Sequence, residues 1–169
     1  MARISFASDL DFLKANTQVV ELACSRQAGI AVTPAFQGRV MTSTLGGNEG
    51  PSYGWLNRPF IVKDSNDPLF NNYGGEDRFW LGPEAGQFAL FFAKGQPFDL
   101  GHWDSPKGFT TGAFEVTGQD ERSVAMATKF NVTNYSGTRF DCVVKRTISV
   151  LDPQQIDAHL GTSVPDGIS

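Results

Sequence analysis

Apolar side chains recur at every second position of this chain in short runs broken by Gly, Pro, Asn and Asp, a period that belongs to strands. Thr17 to Cys24, with Val19, Val20, Leu22 and Cys24, reads as a first strand, and Gly29 to Pro34 and Gly38 to Leu45 read as two more, with Gly29 and Gly38 at the turns. The pattern then dissolves between Leu45 and Gly75 into Gly, Pro and Asn clusters, although Tyr53, Trp55, Phe60, Phe70 and Tyr73 argue for a folded segment, either a rim over a site or loops closing one end. Strand signals return at Arg78 to Leu81, and Gln87 to Phe92 is so nearly continuous in apolarity that it predicts a central strand buried on both faces. Thr110 to Thr117, Ser123 to Val132 and Thr138 to Leu151 follow, the last two joined by the turn Asn134-Tyr-Ser-Gly137. Val124, Met126, Thr128, Phe130 and Val132 share one face, as do Phe140, Cys142, Val144, Ile148 and Val150. Arg146 interrupts the second of these faces and must reach a carboxylate or the sheet rim, because an unpaired buried guanidinium is costly.

Helical signals are few. Ser8 stands as a cap before Asp9 to Lys14, which predicts one short N-terminal helix ending near Asn16, and Gln154 to Leu160 offers a second short one in the weakly patterned tail, residues 152–169. The fold class expected is therefore all-β, an antiparallel β-sandwich with one short N-terminal helix, built as a single domain over residues 1–169. Composition agrees: 40% of the 169 residues are apolar, 19% charged and 14 are Phe, which excludes disorder and coiled coil.

A formal charge of −4 with no basic block makes duplex nucleic acid an unsuitable partner. No run approaches the roughly 18 apolar residues of a membrane span, so a soluble chain is expected, without an export signal and with the compartment open between periplasm and cytoplasm. Cys24 and Cys142 lie in apolar stretches and read as small core thiols, with a disulfide as the alternative. Two glycosylation-type triplets begin at Asn131 and Asn134. There is no nucleophile elbow, phosphate loop, Cys-x-x-Cys or His pair at ligand spacing, so neither cofactor nor metal is expected.

The densest chemistry lies in Gly74-Gly75-Glu76-Asp77-Arg78-Phe79-Trp80-Leu81-Gly82-Pro83-Glu84. Carboxylates and a guanidinium beside an indole are what a sugar requires, since the forks pair with hydroxyls and the ring's C–H face lies on an aromatic. Strand alternation sends Arg78 and Trp80 to one side and Asp77 and Phe79 to the other. Arg78, Trp80, Glu76 and, further on, Trp103 are thus the candidate substrate-binding residues, against the plainer reading of a core Trp and a structural ion pair. His102 sits in a Gly- and Pro-flanked loop beside Trp103, and it and Glu84 are the candidate acid–base pair. Two-carboxylate glycoside hydrolysis by Glu76 and Glu84 stays open, because spacing along a chain does not measure their separation.

The run from Gly74 to Glu84, preceded by Gly38-Arg39-Val40-Met41-Thr42-Ser43-Thr44, resembles uncharacterised bacterial families of the galactose mutarotase-like, or aldose 1-epimerase-like, superfamily. The resemblance extends over residues 8 to 151 and implies that the chain is the N-terminal half of a supersandwich holding a sugar in a cleft on one sheet. In active members a His acid and a Glu base open and reclose the sugar ring; His102 matches the first loosely, and no residue here aligns with the late Glu. Arg78 takes the place of the substrate-orienting Arg. The expected partner is a sugar or oligosaccharide, and the alternatives are a non-catalytic sugar-binding module or a structural fragment. A half-sandwich leaves a strand edge exposed, which predicts a homodimer through that edge or a tail that packs back over it.

Overall fold

The computed structural model describes residues 4–24, 27–63, 67 and 69–163. Two antiparallel three-stranded sheets form the body. In the first, β1 (Val20–Ala23), β2 (Gly29–Thr33) and β3 (Arg39–Thr44) follow one another in order; in the second, β4 (Glu115–Gln119), β5 (Ser123–Thr133) and β6 (Arg139–Ser149) do. Helix α1 (Phe6–Asn16) precedes them, α2 (Arg58–Lys63) and the single turn α3 (Lys107–Thr110) lie between the sheets in sequence, and α4 (Pro153–Leu160) follows. The all-β class with a short N-terminal helix holds.

Alternation in the first sheet buries both of its faces. Ala31 and Met41 turn toward α1, whose Phe6, Leu10 and Leu13 close over them together with Leu56 and Ile61. Val20, Leu22 and Val32 turn the other way and meet Phe114, Val124, Met126 and Val150 of the second sheet and its flanks, which makes the sandwich. A third cluster, Ala89, Phe91, Phe92 and Val132, covers the far end of β5. The face expected of β5 is therefore real but serves two cores, Val124 and Met126 in one and Val132 in the other.

Several elements differ from expectation for physical reasons. Helix α1 is capped by Ser5, whose side chain accepts from the Ser8 N–H, so the helix begins two residues before Ser8 rather than after it. The strand expected at Gln87 to Phe92 is absent: these residues form turns, and their apolarity serves ring-on-ring packing. Arg78 to Leu81 forms no strand, and the strand expected from Thr110 starts only at Glu115 because Lys107–Thr110 coils first. The loop-rich stretch contains α2 and two bridges, Ser5 to Pro51 and Leu56 to Gly74. The Asn134 to Gly137 hairpin forms, with the Asn134 side chain accepting from Thr138 N–H at 2.9 Å. Helix α4 forms with an Asp152 and Gln155 capping box; of the tail, residues 164–169 lie outside the described residues. Cys24 and Cys142 are both free and half-buried.

Candidate functional site

Residues 74–77 fasten the site loop to both sheets. Gly74 and Gly75 take φ of 86° and 100°, and a Cβ on Gly74 would lie 2.1 Å from the Trp55 carbonyl, so only glycine brings the chain this close. Gly75 N–H then donates to that carbonyl at 2.8 Å and Glu76 N–H to Val40 O at 2.9 Å. Asp77 accepts from Val40 N–H at 2.8 Å and, through its other oxygen, from Arg146, whose Nε donates to Gly38 O at 3.0 Å. Arg146 thus reaches the carboxylate its position on an apolar face demanded. Beneath this loop Arg39 is buried, donating to Gln37 at 2.6 Å and to the Gly74 carbonyl; burial first, and then neighbouring Arg78, lowers its pKa to about 10.

From Phe79 to Leu81 the side chains pack against the Ala89, Phe91, Phe92 and Val132 cluster. Phe79 packs onto Phe114, their ring centres 6.1 Å apart, while Arg78 is exposed and Trp80 half-buried. The Arg78 guanidinium carbon lies 4.0 Å from the Trp80 ring centre, and the indole N–H donates to Glu84 at 2.9 Å. Loss of water against the indole lowers the Arg78 pKa, with Glu84 opposing the shift. Trp80 also stacks on buried Phe91 at 4.9 Å, and Phe91 on Trp103 at 4.6 Å. Two groups so close to one ring need opposite faces, so Trp80 is held between Arg78 and Phe91 and offers its edge. Trp103 donates its indole N–H to Ser105 at 2.7 Å and meets Phe92 in a T-shaped contact with ring centres 5.6 Å apart.

Arg78, Trp80 and Glu84 therefore form one contact chain, and Trp103 joins it through Phe91. Glu76 is elsewhere, accepting from the Ser43 hydroxyl at 2.9 Å on both oxygens. His102 closes a one-turn 3-10 segment, Leu100–His102, capped by Asp99, and its Nδ1 lies 2.7 Å from Asp99 Oδ1. That pairing holds the Asp99 carboxyl below the usual range. The carboxylate beside His102 is thus Asp99, while Glu84 is engaged by Trp80.

Next to the stack runs a groove of about 630 Å³. Strand β4 pairs only with Val124 to Ala127, no described strand pairs with Thr128 to Thr133 on that side, and α3 and residues 90–94 border the space beside it. Leu90, Phe92, Phe130 and Val132 supply its apolar lining; Lys94, Asp104, Lys107 and Asn131 its polar groups. Lysine, carboxylate and amide beside aromatic carbon can bind hydroxyl-bearing rings, and the volume falls within the roughly 300–1,000 Å³ of small-molecule sites. Sequence reasoning missed Phe91, Phe92, Lys94, Asp104 and Asn131. The richness of 87–92 in Phe rather than in β-branched residues was the one signal that this run packs rings instead of pairing as a strand.

Among the described residues no three His, Cys, Asp or Glu converge as a metal site would need, and no helix is long and apolar enough to cross a membrane. A model of a family of unknown function, DUF6786, matches residues 4–169, and the chain belongs to that family. No curated protein and no solved structure matches it.

Proposed function

We propose that this DUF6786 member is a carbohydrate-recognising domain whose ligand lies in the groove between α3, the 90–94 segment and the end of β5 beyond β4. The observation that carries this reading is the lining itself, in which Phe92 and Phe130 offer apolar ring surface and Lys94, Asp104, Lys107 and Asn131 offer hydroxyl partners. Arg78 and Glu84, exposed and held by Trp80, form a second hydroxyl-binding pair on the neighbouring surface.

Tryptophan fluorescence tests the proposal, because Trp103 packs directly behind Phe92. Titration with a panel of neutral mono- and oligosaccharides is expected to give a saturable change that Asp104→Ala and Asn131→Ala weaken about tenfold, the loss of one or two hydrogen bonds, without lowering the melting temperature. Absence of any saturable response across the panel would remove the proposal.

Aldose 1-epimerase-type catalysis is the second reading, favoured by the Asp99-oriented imidazole of His102, which leaves Nε2 for a ring oxygen. Polarimetry on freshly dissolved aldoses decides it: a mutarotation rate unchanged by His102→Ala and by Glu84→Gln excludes both residues as the acid–base pair.

A further inference from the structure

Strand β6 is an eleven-residue edge. It pairs along its whole length with β5 without a register shift, and no described strand lies on its other side. The opposite edge of the same sheet is guarded differently, since β4 has five residues and a bulge between Val116 and Gly118. The chain beyond β6 leaves the edge open: Val150 N–H turns back to the Arg122 carbonyl, and α4 places Ile156 beside Ile30, Ser43 and Tyr53, at the other sheet. Alternate backbone N–H and C=O groups of β6 are therefore available for pairing.

The side chains of this edge are arranged symmetrically about one residue. On the outward face Asp141 and Lys145 flank Val143 at two positions on either side, and Val143 is 60% exposed. The ion pair on that face is loose, Arg139 Nε lying 3.6 Å from an Asp141 oxygen. We propose that β6 is a self-association edge, on which two copies pair antiparallel about a two-fold axis at Val143 and join their three-stranded sheets into one of six strands.

Charge selects this register. With the axis at Val143, Asp141 faces Lys145 of the partner subunit twice over, Val143 faces its own copy, and on the inner face Cys142 lies opposite Val144 of the partner subunit. Moving the axis to Cys142 sets Arg139 against Lys145 of the partner subunit, and moving it to Asp141 or Lys145 sets like charges against themselves. An axis at Val144 leaves Asp141 opposite a threonine and Lys145 opposite a valine. Exposed Phe140 would lie across from Arg146 of the partner subunit, where an aromatic covers the stem of a long cation.

The association is independent of the saccharide reading, and sedimentation equilibrium on the 169-residue chain tests it. A concentration-dependent dimer is expected, weakened about tenfold or more by Asp141→Lys or by Lys145→Asp, each of which turns two attractive pairs repulsive. The double variant, Asp141→Lys with Lys145→Asp, restores the pairs and with them the dimer. A second measurement places the axis: in a chain carrying Cys24→Ser and Cys142→Ser, Val143→Cys oxidises to a covalent dimer, because the residue faces its own copy at disulfide distance, whereas Thr147→Cys does not. A monomer at all concentrations overturns the proposal, as does a dimer indifferent to the charge reversals or one cross-linked equally well through position 147.

Discussion

At the scale of single residues the site depends most on a side chain that no solvent reaches. Phe91 is fully buried and stacks against both Trp80 and Trp103, so it sets the position of the two indoles whose edges carry Glu84 and Ser105. Phe91→Ala is expected to cost about 3–5 kcal/mol, the range for removing a buried aromatic ring, and to shift tryptophan emission to the red as both stacks open. Urea denaturation with a fluorescence readout measures both, and emission unchanged in the folded variant would mean that the indoles are held without Phe91. The residue scale also shows where sequence reading stops. Alternation placed Arg78 and Trp80 together and Asp77 and Phe79 opposite, since side-chain direction is a local property of extended backbone. It could not show that Phe91 stacks on Trp80 and Trp103, because those contacts join segments that meet only in the folded chain, nor that Glu84 turns to the Trp80 indole, because that depends on how the loop after Leu81 folds back.

Elements are placed by close approaches as much as by apolar stripes. Helix α3 rests on β5 at Gly108, where a Cβ would lie 2.3 Å from that of Phe130. Gly108→Ala must push α3 away, an overpacking cost of about 1–3 kcal/mol, and should alter saccharide binding because both residues line the groove. Gly118→Ala, whose added carbon meets nothing nearer than 4.0 Å, serves as the control in the same chemical denaturation series. Strands β2, β3, β5 and β6 were legible because each has a neighbour to pair with and one face in a core, the arrangement that produces period two. Gln87 to Phe92 was misread because an apolar run records burial and not pairing; here the burial comes from rings, and Leu90 N–H finds the Pro83 carbonyl instead of a strand.

Over the whole molecule, aspartates at caps and turns give stability a common dependence on acid. Asp67 and Asp120 are held below their usual pKa chiefly by backbone N–H groups, Asp152 by the Gln155 N–H, and Asp99 by His102. A carboxyl with a depressed folded value stabilises in full above its ordinary value of 3.8, and the contribution is lost as pH falls through the lower folded value, where the unfolded chain binds more protons. The melting temperature should therefore be level from pH 7 to about 5 and fall below about pH 4. Asp120→Asn should make that fall shallower, and an equal slope in the variant would show that Asp120 takes no part. The sequence by itself determined the all-β class, the short first helix, most strand positions and the nearness of Arg78 to Trp80. Local periodicity and backbone stereochemistry are written into consecutive residues. Only the tertiary structure decided that the Phe-rich run is a stacked wall, that a groove opens where β4 stops short of the end of β5, that His102 has Asp99 for its carboxylate and that β6 is left as a long edge. The wall, the groove and the long edge depend on the distance between segments remote in sequence, which is set by packing the whole chain around its shared cores, whereas the Asp99 to His102 contact is local and follows from the turn at 99–102.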